Sequence, residues 1–422
     1  MILLNMEEII IKKRDGKILG SEEINFFING YTKGEIPDYQ ASALLMSIYF
    51  QGLSEKEITD LTEAMMLSGD VVDLSEIKGI KVDKHSTGGV GDKTTLIVAP
   101  IAAAAGVPVA KMSGRGLGFT GGTRDKLESV PGYKTALTQK EFIDQVNEIG
   151  ISLIGQTADI AVADKKLYSL RDVTGTVGSL GLITASIMSK KLASGGDAIV
   201  LDVKCGRGGF MKTKEEARKL ADLMIKIGEK HGKKTAALIT DMNEPLGNAV
   251  GNTLEVIEAI ETLKGKGPED ITKLSFEIAG HMILLGKKAR SIEDAVESAK
   301  EVLYSGKALD KFRRLIDAQG GDPKIIDDYS LLGKAKYENN IISQRNGVIK
   351  EIDAQKVGEA AQLLGAGRVT KEDDIDFCAG VLLSKKIGAG VSKRDVLATV
   401  FSEDRKKLKL GSDRLKESII IT

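Results

Sequence analysis

The run Lys84-His85-Ser86-Thr87-Gly88-Gly89-Val90-Gly91-Asp92-Lys93-Thr94 gathers the residue types that hold an anion. It follows an expected strand at Ile80–Val82 and leads into an expected helix at Thr94–Ala105. A glycine-rich turn that feeds a helix N-terminus points backbone N–H groups and the positive end of the helix dipole at a ligand. Lys84, Ser86 and Thr95 flank it with a cation and two hydroxyls, which suits a dianion such as phosphate. The run is not a Walker A loop, because Asp92 separates Gly91 from Lys93 where that motif needs Gly-Lys-Ser/Thr. Without the lysine and hydroxyls, a structural turn would be the better reading.

A second glycine-rich segment runs from Lys111 through Met112, Ser113 and Gly114 to Thr123. Its Gly116-x-Gly118-x-x-Gly121 matches a dinucleotide fingerprint formally, but the acidic residue expected about 20 positions on is missing, so NAD is rejected. Two such segments after separate strands converge on the carboxyl edge of a sheet, where α/β proteins bind ligands. A third group lies further on. Tyr168 and Arg171 are spaced i, i+3, and Ser186 and Lys190 i, i+4, so each pair shares a helix face. Arg171 and Lys190 could compensate a leaving group that becomes an anion, with Ser186 donating a hydrogen bond. Spacing alone favours a solvated charged face. Of the three histidines, His231 ends a lysine-rich helix and His281 lies on an apolar one, whereas His85 sits inside the anion run. The residues leave open whether His85 packs or transfers a proton. No zinc-ligand spacing and no Gly-x-Ser-x-Gly elbow accompanies them.

These groups need a scaffold. With 422 residues the chain exceeds one ordinary core, and its 42% hydrophobic and 28% charged content is that of a globular protein. Lysine plus arginine and aspartate plus glutamate balance at 60 each, which gives no field for a nucleic-acid polymer or an anionic membrane. Two lone cysteines, Cys205 and Cys378, and no signal peptide or membrane-length apolar run fit a cytoplasmic protein. The 3.6-residue stripe at Ile24, Phe27, Ile28 and Tyr31, Pro37 ahead of Ala43, Leu44 and Ile48, and the capping box Ser54–Glu57 make residues 12–70 all-helical. From Ile80, strands alternate with helices: Ile80–Val82, Val107–Ala110, Ile151–Ile154, Ala198–Val203 and Thr235–Thr240. Ala163–Ala193 interrupts them with two helices, expected to pack back on the N-terminal ones across a cleft. The expected division is a helical lobe at 1–75, an α/β domain at 80–160 and 197–335 with the helices 163–193 returning to the helical lobe, and a C-terminal α+β domain at 345–422.

The run Lys84–Asp92, followed by Ser113-Gly114-Arg115-Gly116-Leu117-Gly118 and Thr120-Gly121-Gly122-Thr123, resembles the signature of the thymidine and pyrimidine-nucleoside phosphorylases. Asp241-Met242-Asn243-Glu244-Pro245-Leu246-Gly247 through Leu254-Glu255 resembles it too, and the similarity spans essentially the whole chain. The resemblance implies an α/β fold plus an all-α lobe, a mixed, largely parallel sheet flanked by helices and a C-terminal α+β domain, in a homodimer. It assigns inorganic phosphate, the co-substrate, to Lys84, Ser86, Thr95, Lys111, Met112, Ser113 and Thr123. The pyrimidine would lie on Tyr168, Arg171, Ser186 and Lys190, with His85 reaching its O2 carbonyl. His85, Arg171, Ser186 and Lys190 would carry the catalysis, without an organic cofactor. The implied reaction is phosphorolysis of uridine, thymidine or deoxyuridine to the free base and α-pentose 1-phosphate.

Three positions qualify the likeness. Lys111 resembles the branch that accepts both uridine and thymidine, where a thymidine-restricted phosphorylase carries an apolar residue. Phe119 stands where the family usually shows histidine. Lys93 replaces a threonine at a potassium site whose other parts would be Gly91, Leu246, Ala249 and Glu258. Either the ion persists there, or the Lys93 ammonium takes its seat. The nearest rival is an anthranilate-type phosphoribosyltransferase, which handles pyrophosphate with magnesium and needs acidic loops; here those loops carry Asp92 and Asp125.

Overall fold

A computed structural model describes residues 4–116, 118–157, 159–368 and 373–422; Leu117 of the second glycine-rich run lies outside them. By contact density the chain forms two compact units, one of residues 1–76, 156–199 and 218–236, the other of residues 77–155, 200–217 and 237–422.

The first unit opens with helices α1 (Met6–Arg14), α2 (Ser21–Lys33), α3 (Asp38–Gln51) and α4 (Glu55–Met66). The α1 helix lies inside the expected helical lobe at 1–75, although it starts ahead of the 12–70 tract read as all-helical; Glu7 and Glu8 interrupt its apolar patches. They occupy its first turn, where acids favour the helix dipole, and Asn5 caps it. Helices α8 (Val162–Thr174) and α9 (Leu180–Ala193) pack into the same core. Leu167, Leu170, Leu182 and Ala185 bury themselves among Ile24, Phe27, Leu44, Ile48 and Leu61. Their docking follows from two apolar faces that no strand covers.

The second unit carries β1 (Val82–Ser86), α5 (Thr94–Ala104), β2 (Val109–Ser113), α6 (Thr123–Glu128), α7 (Gln139–Ile149) and β3 (Ile151–Gly155), then most of β4 (Ala198–Cys205) and β5 (Lys234–Asp241). Helix α10 (Lys214–Lys230) links β4 to β5. The strand order is β1-β4-β5 in one sheet, with β2 and β3 paired in parallel, Val109 opposite Ile151 through Ser113 opposite Gly155. The Val82 amide donates to Pro108 at 3.4 Å, which sets β1 beside β2. After β6 (Ala249–Val250) come α11 (Asn252–Leu263), α12 (Glu269–Leu285), α13 (Ile292–Tyr304) and α14 (Lys307–Ala318). The C-terminal tract adds β7 (Tyr337–Ile342), β8 (Gly347–Ile352), α15 (Ala354–Ala361), β9 (Gly380–Leu383), β10 (Gly390–Val391), β11 (Val396–Ser402), α16 (Arg405–Lys416) and β12 (Ile419–Ile421). Its sheet runs β6-β9-β11-β7, so a short strand of the α/β tract is zipped into it. No helix among the described residues is long and apolar enough to cross a membrane.

One buried ion pair anchors the helical unit. Glu57, third residue of α4, closes the capping box with Ser54, accepts from the Leu19 amide at 3.0 Å and pairs with buried Lys13 at 2.7 Å. Burial pushes the Glu57 carboxyl up, but the Leu19 amide, Lys13 and Ser54 outweigh it and hold it below the ordinary glutamate value. Glu57→Gln strands a buried ammonium, and equilibrium urea unfolding should show a loss of about 3–5 kcal/mol. The contribution of Glu57 is complete above its unfolded value of about 4.3 and is lost as pH falls through the lower folded value, so the variant's deficit should shrink in acid.

Candidate functional site

Strand β1 begins later than the apolar pattern suggested, at Val82 rather than Ile80, and runs to Ser86. Lys84, His85 and Ser86 therefore lie on the strand and not in a loop. A strand can carry Asp83 and Lys84 inside a core only if each finds a partner. Lys84 donates to the Thr94 hydroxyl at 2.6 Å and lies 3.6 Å from Asp202 and 3.9 Å from Asp92. Lys111, on β2, pairs with Asp83 at 3.3 Å and reaches the Met112 carbonyl at 3.3 Å. Asp202 pairs with buried Lys204 at 2.8 Å and accepts from Thr240 at 2.6 Å; the Lys204 amide donates to Thr87 at 2.9 Å. Burial would raise the Asp92 carboxyl, but Lys84 and Lys204 pull it well below the carboxylate range. Lys84, Lys111 and Lys204 thus face Asp83, Asp92 and Asp202, and the cluster balances without any ligand.

The glycine loop turns back on itself under steric control. Gly91 has φ +70°, and a Cβ there would meet the Leu246 carbonyl at 2.5 Å. Asp92 then accepts from both the amide and the hydroxyl of Thr94, at 3.2 and 2.6 Å, where α5 begins. The Ser86 hydroxyl accepts from the Gly88 amide at 3.2 Å, and Thr95 follows, buried, in the first turn of α5.

The second run connects Ser113, which ends β2, to Thr123, which begins α6. Asp125 organises it, accepting from the Gly116 amide at 2.6 Å and from Arg115 at 2.8 Å. Gly122 must lack a side chain, since a Cβ would sit 2.0 Å from the Gly116 nitrogen. Phe119 lies with its carbonyl against Gly358 of α15, so the C-terminal tract backs this loop. Met112 is buried on β2. The Ser113 hydroxyl is buried and has no hydrogen-bond partner among the described residues. A buried unpartnered hydroxyl costs stability unless a ligand satisfies it.

In the helical unit, Lys190 donates to Ser186 at 2.9 Å and pairs with Asp164. Arg171 is almost wholly buried and gives its N–H groups to the carbonyls of Val177 at 2.7 Å, Leu182 at 3.2 Å and Thr176 at 3.4 Å. Burial lowers the Arg171 guanidinium, with Asp164 working in the opposite sense. Tyr168 lies under it, ring centroid 5.7 Å away, and burial pushes its phenol up to about 12. Spacing alone made these residues an ordinary charged face; in the structure they form one connected group with a buried arginine. His231 bonds the Ile227 carbonyl at 2.8 Å at the end of α10, and burial lowers the His281 imidazole on α12.

Four acids and bases of these clusters escaped the sequence reading. Asp164 stands four residues before Tyr168 and seven before Arg171, on one face of α8, and that spacing could have found it. Asp202 and Lys204 alternate on one face of the otherwise apolar β4, a polar pair inside a buried strand. Asp83 lay one position past the expected strand.

If the Ser113 hydroxyl awaits an anion, Ser113→Ala should leave the apparent Tm of the ligand-free protein unchanged or raise it. Inorganic phosphate should then stabilise the variant less than the parent, read by a thermal-shift titration. An equal phosphate response in both would sink this role.

Residues 78–309 match the glycosyl transferase family a/b domain, residues 7–69 the helical bundle domain of that family, and residues 348–422 the pyrimidine nucleoside phosphorylase C-terminal domain. The chain is 56% identical over 399 residues to the pyrimidine-nucleoside phosphorylase of Bacillus subtilis, covering 94% of this chain and 92% of that one. It is 54% identical over 419 residues to the pyrimidine-nucleoside phosphorylase of Geobacillus stearothermophilus, covering 99% and 96%. Anthranilate phosphoribosyltransferase from Thermus thermophilus superposes with a TM-score of 0.59 over 74% of this chain and 99% of its own, at 20% identity, a likeness of fold alone. With all three segments matched and more than half of the residues shared along nearly its whole length, the chain belongs to the pyrimidine-nucleoside phosphorylase family.

Proposed function

We propose that this protein is a pentosyltransferase that cleaves pyrimidine nucleosides with inorganic phosphate, giving the free base and α-D-ribose or 2-deoxyribose 1-phosphate. The observation that carries the reading is the group on α8 and α9, where Lys190 is held on Ser186 and on Asp164, whose charge also acts on the buried Arg171. Three donors fixed in advance by carbonyls and a carboxylate suit a planar heterocycle whose oxygens gain negative charge. Tyr168 supplies an aromatic face in the same group.

In this reaction the C1′–N1 bond breaks and a phosphate oxygen bonds to C1′. Positive charge builds on the sugar and the electron pair of the broken bond stays on the base. Phosphate is assigned to Lys84, Ser86, Thr95, Lys111, Met112, Ser113 and Thr123. Because Lys84 and Lys111 already have acidic partners, phosphate is held chiefly by hydroxyls and backbone amides, with the lysines shared between acid and anion. His85 is assigned to the base O2, where its protonated form would neutralise the leaving anion. The reading includes a homodimer in the cytoplasm; light scattering on the purified protein tests the dimer.

The two rivals separate cleanly. Asp92 is committed to Lys84 and Thr94, and Asp125 to Arg115 and the Gly116 amide, which disfavours a phosphoribosyltransferase that would need both for magnesium. A thymidine-restricted phosphorylase differs at Lys111.

Purified protein should release uracil from uridine only when phosphate is present, and release without phosphate, or none with it, overturns the reading. Lys190→Ala should cut kcat/KM by roughly a hundredfold or more while circular dichroism stays unchanged; near-parental turnover would remove Lys190 from its role. Replacing Lys111 with Met should lower the uridine rate relative to thymidine, measured side by side. An unchanged ratio counts against Lys111 as the determinant of breadth.

A further inference from the structure

We infer that Lys93 serves as a built-in monovalent cation, so that this protein needs no potassium ion behind its glycine loop. The residues that could form such a site converge, but not on an open space. The Lys93 ammonium donates to the Leu246 carbonyl at 3.0 Å and the Ala249 carbonyl at 2.8 Å, and it pairs with the Glu258 carboxylate. A lysine has three N–H donors, and here each has one acceptor. The side chain is wholly buried. Glu258 is filled as well, accepting from the amides of Asn248 at 2.9 Å and Ala249 at 3.2 Å.

The surrounding backbone is closed around this ammonium. A Cβ on Gly91 would meet the Leu246 carbonyl at 2.5 Å, and one on Gly247 would lie 3.1 Å from the Lys93 nitrogen. The neighbouring Asp270 accepts from the Gly247 amide at 3.0 Å and pairs with Lys386 at 3.1 Å, so it offers no second charge. Ammonium and potassium are of similar size and both take carbonyl and carboxylate oxygens. The donor set therefore fits a monovalent cation, and Lys93 is that cation. An added ion would have to displace a covalently tethered one.

Lys93 is also the residue just before α5, two positions past Gly91. Its bonds tie the glycine loop to the 246–249 turn, and the Leu246 amide donates back to Val90 at 3.0 Å. Lys93 is thus a positioning residue for the loop that the proposed function gives to phosphate. Tethering removes the binding step: loop order does not depend on salt composition, as it would with a dissociable ion.

The test compares KCl, NaCl and choline chloride at equal ionic strength. The parent's apparent Tm should be the same in all three, and its phosphorolysis rate should agree within about twofold, since a buried pair is little affected by screening. Lys93→Thr removes the ammonium and leaves the oxygens. In choline chloride its Tm should drop, and KCl or ammonium chloride should restore several degrees that choline does not. Cation-specific recovery is what a merely space-filling lysine would not show. A parent that gains stability from KCl over choline overturns the inference. So does a variant that responds equally to every salt or folds in none. The Tm readings stand even if the nucleoside assay fails, so this inference and the functional reading fail separately.

Discussion

An ammonium group cannot leave water unless oxygen atoms replace its hydration, and five of those that the α/β unit buries are Lys84, Lys93, Lys111, Lys126 and Lys204. Each is paired. Asp202 and Asp92 lie beside Lys84, Glu258 beside Lys93, Asp83 beside Lys111, Glu255 beside Lys126 and Asp202 again beside Lys204. The partners come from β1, β4, α11 and the glycine loop, so satisfying the charges also locks those elements together. Leaving any one charge unpaired would be strongly unfavourable. This requirement, more than apolar packing, fixes where the two glycine-rich loops stand.

The same constraint shapes what the loops can do. A lysine already shared with a carboxylate does not act as a bare charge; it holds a fixed position and lends part of its field to an arriving anion. Around Arg171 the solution differs in kind. Arg171 is surrounded by the carbonyls of Thr176, Val177 and Leu182, which satisfy its geometry without cancelling its charge. That leaves a net positive group for a leaving base, whereas the acid-paired lysines of the other unit leave a balanced one. The difference fits the assigned roles, since phosphate brings its own charge and the base develops charge only during bond cleavage.

Much of this was legible in sequence where one residue type has one physical use. The capping box at Ser54 and Glu57, the alternation of strands and helices after residue 80, and the helical insertion at 163–193 follow from periodicity and caps, and the structure has them. Strand β1 was ended too early because Asp83 and Lys84 stop the apolar run, while their burial depends on Lys111 and Asp202 further along the chain. Helix α1 begins six residues ahead of the tract read as all-helical, with acidic residues in its first turn.

The chain by itself determined the residue types of both constellations, the i, i+4 pairing of Ser186 with Lys190 and the glycines that the loops require. Local spacing carries that information, because helix and turn geometry are set within a few residues. Tertiary structure alone decided which acid meets which lysine. The Lys93 carbon chain runs inward to Glu258 and the Leu246 and Ala249 carbonyls, more than a hundred residues away. Such pairings depend on how separate elements pack, and no local rule reports them.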